Sequence, residues 1–154
     1  MIRRFRPSDL ERVKEITLLG FEGVSIDHGM EKRFGVIAGK DWKWRKARSL
    51  DDDVRANSDG VFVYEADGAV VGYITTRLDA ESGIGWIPNI AIDPGHQGRG
   101  IGRALMQAAL DYLRASGMRY AKIETLEQNQ KGQTFYPSVG FQEVARQIHY
   151  LMRL

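Results

Sequence analysis

The apolar positions change period several times along the chain, and each change marks an element. Residues 2–6 alternate apolar with basic, which predicts a short strand ended by Pro7. With Ser8 or Asp9 as cap, Leu10, Val13, Ile16, Thr17 and Leu19 recur at helical spacing up to Gly20, a stop signal. From Phe21 to Asn57, Gly23, Gly29, Gly35 and Gly39 interrupt the pattern, leaving two short helices near 30–34 and 42–55. Residues 61–66 and 69–77 are β-rich runs on either side of Asp67-Gly68, a pair that tolerates positive φ, so they form a hairpin.

Residues 84–92 read as a third strand, 93–97 as a loop and 99–116 as a helix, with Ile101, Leu105, Ala108, Ala109, Tyr112 and Leu113 on one face and Gly117 at its end. Another strand is expected over 120–126, a short helix near 132–138, and a largely strand-like stretch over 141–154. Strand, helix and strand make a right-handed βαβ unit with parallel strands. The order predicts an α/β or α+β fold with a mixed sheet, organised as one domain over residues 1–154.

Composition narrows the function classes. Hydrophobic residues make up 43% and charged residues 27% of 154, too apolar for disorder. The 22 basic and 20 acidic residues leave a net charge of +2, far from that of an electrostatic nucleic-acid binder. With 0 cysteines there are no disulfides, no thiolate catalysis and no Cys-ligated metal. No apolar run reaches the length of a membrane span, and no signal segment follows the N-terminal charges, so a cytoplasmic location without membrane attachment is expected.

The candidate chemistry lies between the third strand and the long helix. Gly95, Gly98, Gly100 and Gly102 strip side chains from a helix N-terminus, where free N–H groups and the positive end of the dipole favour an anion. Arg99 and Arg103 add charge-assisted donors. A plain packing turn is the bland alternative. A Walker A loop fails on spacing, because residues 35–40 are one residue short and Asp41 follows the lysine. A dinucleotide fingerprint fares little better, with Arg103 where its third glycine belongs and few residues left for further parallel strands.

Gln97-x-x-Gly100-x-Gly102, preceded by Asn89-Ile90-Ala91-Ile92-Asp93-Pro94, resembles the acetyl-coenzyme A signature of the GNAT N-acetyltransferase superfamily. Asn129 followed by Phe135-Tyr136-Pro137-Ser138-Val139-Gly140-Phe141 resembles its second motif. Together the two cover roughly residues 61–141. The resemblance implies a mostly antiparallel central sheet with a V-shaped splay between two parallel strands, and Pro88 fits such an irregularity. It implies acetyl-CoA as co-substrate with no metal. Main-chain groups of Ile90, Ala91 and Ile92 would meet the pantetheine arm or polarise the thioester carbonyl. Residues Gln97, Gly98, Arg99, Gly100, Ile101, Gly102 and Arg103 would hold the diphosphate, and Asn129 would bind the arm or fix its loop.

For catalysis the resemblance places Glu124 as general base, with Glu81 and Glu127 in reserve, and Tyr136 as the acid that protonates the departing thiolate. The acceptor would be a peptide N-terminus or a small-molecule amine. A non-catalytic acyl-CoA sensor is the rival reading. Many members of the resembled family wall the acceptor site with a long loop between their last two strands, for which residues 141–154 leave little room, so the expectation is an acceptor side that is open or completed by a second subunit in a homodimer. His28, His96 and His149 are too scattered for a metal site. Asp51-Asp52-Asp53 reads as a solvated turn or a helix cap, and the helix carrying Trp42 and Trp44 as packing on the core or lining the acceptor pocket.

Overall fold

A computed structural model describes residues 1–154. The chain runs through β1 (Ile2–Arg4), α1 (Leu10–Phe21), α2 (Ile26–Phe34), α3 (Trp42–Asn57), β2 (Phe62–Ala66) and β3 (Ala69–Ile74). β4 (Ile84–Trp86), β5 (Ile90–Ile92), α4 (Ile101–Ala115), β6 (Tyr120–Lys122) and α5 (Gln130–Ser138) follow. β1, β2, β3 and β5 form a four-stranded antiparallel sheet in that order, while β4 and β6 form a separate parallel pair. The β2–β3 hairpin turns through Asp67 and Gly68 at φ 51° and 76°, the backbone of a type I′ turn that follows the strand twist.

Each face of the sheet carries its own apolar cluster. Val13 and Ile16 of α1 and Leu50 of α3 pack with Val63, Val70, Tyr73 and Ala91 on one face. Ile101, Leu105, Met106, Ala109 and Leu113 of α4 cover the other, against Val71, Ile74 and Ile87. Leu105 is fully buried, so its truncation to alanine would cost about 2–5 kcal/mol.

The expected strand over 84–92 is in fact two strands in two sheets. Ile87 N–H donates to the Lys122 carbonyl beside β6 at 3.0 Å, whereas the Asn89 carbonyl accepts from Thr75 N–H beside β3 at 2.9 Å. Between them stands Pro88, which has no N–H to hold a ladder, and there the chain changes partners. β6 therefore pairs in parallel with β4, Ile84 opposite Tyr120, and not with β5. β5 and β6 part, which is the splay that the motifs implied.

The strand expected over 120–126 ends at Lys122, because β5 has turned away and offers no further partner. Residues 141–154 correct the sequence reading outright. They hold no regular structure, and no backbone N–H from Gln142 onward finds an acceptor. The acidic triplet is likewise no turn: it lies inside α3, with Asp53 buried.

Candidate active site

Asp93 fixes the loop that leads into α4. Its Oδ1 accepts from the Gly95 N–H at 2.9 Å, and its Oδ2 from Arg12 Nη2 at 2.6 Å. Arg12 Nε also donates to the Val70 carbonyl at 3.1 Å, so α1 clamps the loop onto β3. The Gly95 N–H first, then Arg12, hold the Asp93 carboxyl below its ordinary value of 3.8.

The loop then enters α4 through Gly100, the N-cap residue at φ 77°. A side chain there would strain the left-handed backbone by about 1–2 kcal/mol. Every backbone N–H from Gln97 to Arg103 lacks an acceptor in the chain, the first helical bond being Ala104 N–H to the Gly100 carbonyl at 3.0 Å. These donors and the helix dipole converge on one patch, the chemistry that holds a diphosphate. Gly102 lets the helix close on its neighbours: a Cβ there would lie 3.3 Å from Ile92 Cδ1 and 3.7 Å from the Phe135 ring.

α5 supplies the opposite wall. Lys131 Nζ donates to Gln97 Oε1 at 2.9 Å, and Gln97 Nε2 donates to the Ile92 carbonyl at 3.2 Å, so one side chain links β5 to α5. Arg103 reaches the Ser138 carbonyl and hydroxyl at 3.4 and 3.3 Å, and Arg99 the Gly95 carbonyl at 3.3 Å. A groove of about 530 Å³ opens along α5, lined by Gln130, Lys131, Thr134, Phe135 and Ser138. Sequence reasoning missed Lys131, although it stands two residues past Asn129 in the first turn of α5, where a cation meets any anion held by the loop.

The edge of β5 decides which backbone groups face the gap. Asn89 and Asp93 bond to β3 at 2.9 and 2.8 Å, so the antiparallel alternation also turns Ala91 toward β3 and turns Ile90 and Ile92 to the open edge. The Ala91 side chain is buried against α1. Ile90 and Ile92 are thus the residues of β5 whose N–H groups face the gap. Ile101 sends its side chain into the core and leaves only its N–H to the loop.

The other named residues lie on α5, just past β6 and in the turn before β4. Tyr136, in α5, packs edge-on between Phe135 and Phe141 at ring distances of 5.7 and 6.2 Å. Its hydroxyl makes no hydrogen bond within the chain, and burial pushes its pKa up to about 12. Glu124 lies just past β6, exposed, accepting from the Trp86 indole N–H at 2.7 Å and standing 3.6 Å from Lys122 Nζ. Asn129 caps α5, accepting from the Gly132 N–H at 3.2 Å and donating to Thr125 Oγ1 at 2.8 Å. Glu127 pairs with Arg146 at 2.7 Å, and Glu81 sits exposed in the turn after Asp79, so neither is drawn to the gap.

The face opposite α4 carries a buried polar network that the sequence did not disclose. Asp53 Oδ1 accepts from Arg77 Nε and Nη2 at 2.9 and 2.7 Å, and Oδ2 from Thr75 and Asn89 at 2.8 and 2.7 Å. Asn89 Oδ1 accepts from Lys46 Nζ at 2.7 Å. Burial lowers the Lys46 pKa, and its ammonium lies 3.9 Å from the Phe21 ring centre. Through these bonds α3 pins the point where the chain crosses from β4 to β5. Trp42 packs into the core, whereas Trp44 is partly exposed between Lys40 and Arg48.

The chain is similar to known acetyltransferases. Mycothiol acetyltransferase of Streptomyces avermitilis is 32% identical over 107 residues, covering 70% of this chain and 33% of that protein. An uncharacterized N-acetyltransferase of Methanocaldococcus jannaschii is 29% identical over 147 residues, covering 92% of this chain and 60% of that protein. The chain thus spans between a third and three fifths of these relatives. The PaiA N-acetyltransferase of Thermoplasma acidophilum, solved with coenzyme A, superposes with a TM-score of 0.72 at 19% identity, covering 92% of this chain and 89% of that one, a likeness of fold. The sequence profile of the acetyltransferase (GNAT) family matches residues 25–141, from the start of α2 through the loop, the parted strands and the Phe-Tyr block of α5, and the chain belongs to that family.

Proposed function

We propose that the chain is an acetyl-CoA-dependent N-acetyltransferase that acetylates a primary amine by direct attack while both substrates are bound. The observation that carries this reading is the run of unpaired N–H groups from Gln97 to Arg103 at the head of α4, opening beside the gap between β5 and β6. Such a cradle fits a diphosphate, and a gap between parted strands fits the slender arm attached to it. Arg99, Arg103 and Lys131 supply the cations. When bound, acetyl-CoA brings an acyl group activated as a thioester.

The chain's residues divide the remaining work. The Ile90 N–H polarises the acyl carbonyl from the open edge of β5. Glu124 takes a proton from the acceptor amine, which forms its bond to the acyl carbon as the carbon–sulfur bond breaks. Tyr136 returns a proton to the departing sulfur and is reprotonated from solvent. Burial pushes its pKa up to about 12, so at neutral pH Tyr136 is a phenol and carries the proton when the sulfur departs. Asn129 holds the start of α5 in place, and with it Lys131 and Tyr136.

The acceptor belongs on the face opposite α4. There Trp86, Lys122 and Glu124 come together, with Arg77 stacked on Trp86 at 5.2 Å. An amine panel of peptides, amino acids, polyamines and aminoglycosides, read by free thiol release from acetyl-CoA, tests the function and names the acceptor class. Coenzyme A binding without turnover of any amine would favour the sensor reading.

A further inference from the structure

A row of three side chains crosses the face opposite α4. Arg77, just past β3, pairs antiparallel with Trp86, each N–H donating to the other's carbonyl, at 2.7 and 2.9 Å. Trp86 in turn stands opposite Lys122 in the parallel β4–β6 pair. Residues in register on neighbouring strands share a face of the sheet, so the three side chains meet. The Arg77 guanidinium carbon and Lys122 Nζ each lie 5.2 Å from the Trp86 ring centre, reaching it from the two flanking segments. The indole N–H itself donates to Glu124 at 2.7 Å. One carboxylate, one aromatic ring and two cations thus share a short stretch of surface.

The cations have donors to spare. Asp53 accepts from Nε and Nη2 of Arg77, which leaves Nη1 without an acceptor in the chain. Asp53 is buried at 1% exposure and fixes the guanidinium from α3, while the Arg77 side chain stays 33% exposed. Lys122 is 56% exposed, and Glu124 stands 3.6 Å from its ammonium, beyond hydrogen-bond reach. Asp53 is already committed to Arg77, Thr75 and Asn89. Glu124 is therefore the acid of this row that meets solvent, and the cations beside it carry free donors that an anion can join.

We infer that the acceptor is a zwitterion, an amine carrying a carboxylate a few bonds away. Its amine meets Glu124, and its carboxylate joins the cations that flank Trp86. The inference rests on the proposed N-acetyltransferase reading and narrows its acceptor. An amino acid has this pair of charges, and so does the N-terminus of a peptide whose first residue is acidic. A polyamine or an aminoglycoside carries ammonium groups and no anion, so its further charges face Arg77 and Lys122 without a partner. Arg77 and Lys122 thus select the substrate, and the bonds made and broken at the acyl carbon are those already described.

Matched pairs of amines test this. Amino acids are compared with their carboxamides, and peptide amides beginning with aspartate with those beginning with asparagine, beside spermidine and an aminoglycoside. Turnover of acetyl-CoA is read by thiol release, and calorimetry reads binding of the same amines to protein loaded with coenzyme A. At least one acid should exceed its amide by about tenfold or more in kcat/KM, chiefly through KM. That ratio should fall several-fold in Lys122→Met protein with an unchanged far-ultraviolet spectrum. Lys122 is the position to vary because it is exposed, whereas Arg77 also holds the buried Asp53. A preference found among amino acids or among peptides supports the inference either way and names the source of the carboxylate. Turnover of no amine at all contradicts the N-acetyltransferase reading, and the titrations then decide between acid and amide on their own. Acids and amides that react and bind alike overturn the inference. So does spermidine or the aminoglycoside ahead of every acid, or an acid preference kept in full by Lys122→Met.

Discussion

The indole Nε1 of Trp86 donates to Oε2 of Glu124 at 2.7 Å, across 38 positions of sequence. Trp86 lies in β4 and faces away from Gly85, whose α-carbon is packed against Leu113 of α4, so indole and carboxylate share the face opposite α4. Replacing Trp86 with phenylalanine keeps the ring and removes the donor. Steady-state kinetics should show kcat reduced on the order of tenfold, with the KM for acetyl-CoA unchanged, because a bond to a charged group is lost away from the diphosphate cradle. Equal loss in both parameters would mean that Trp86 serves the fold and not the carboxylate.

Glu124→Gln keeps the size and the Trp86 contact but cannot take a proton. Amine acetylation should fall by roughly 100-fold or more while coenzyme A binding is retained. Wild-type turnover in this variant removes Glu124 from the mechanism.

Tyr136→Phe should lower kcat on a similar scale, roughly 100-fold, through loss of the proton that the sulfur receives. Burial raises the Tyr136 pKa from 10.0 to about 12, so the phenol stays protonated as pH rises through 10.0, and no alkaline loss of rate should arise from it below that point. The same shift links to stability: the folded form holds the proton more tightly, so this contribution is complete below 10.0 and is lost as pH climbs toward 12. A phenylalanine variant with an unchanged rate would show that the sulfur leaves without this acid.

Asp93→Asn loosens the Arg12 clamp on the loop without touching the gap. The KM for acetyl-CoA should rise several-fold with kcat preserved. Asp9, held by Arg3, and Asp93 both have folded pKa values below the ordinary 3.8. Their stabilisation is therefore full above that value and fades as pH falls through the lower folded values. Thermal melting should decline on acidification from about pH 5 downward, and less steeply in Asp93→Asn protein.

Elements set by nearby residues were legible in the sequence. The Asp67-Gly68 turn, the α4 stripe and the glycine loop each depend on contacts within a few positions, and all three stand where the pattern put them. Asp53 did not announce itself, because its partners Arg77 and Asn89 lie 24 and 36 positions away and only the packing of α3 on the sheet brings them together. Its truncation to alanine should cost about 3–5 kcal/mol, roughly 10 °C in melting temperature, since Arg77, Thr75 and Asn89 lose a common acceptor. Pro88 was a local sign of irregularity, but the exchange of partners from β6 to β3 is a property of the whole sheet. The strand pattern of residues 141–154 was equally readable, yet a strand needs an edge to pair with, and pattern alone does not supply one.

The central claim is that the main-chain amides from Gln97 to Arg103 hold a diphosphate. Calorimetric titration of the protein with coenzyme A and with pantetheine, which lacks the diphosphate, tests it directly. Coenzyme A should bind at least tenfold more tightly than pantetheine, and Gly100→Ala should erase most of that difference. Equal affinity for the two ligands, or a Gly100→Ala protein that still distinguishes them fully, would contradict it.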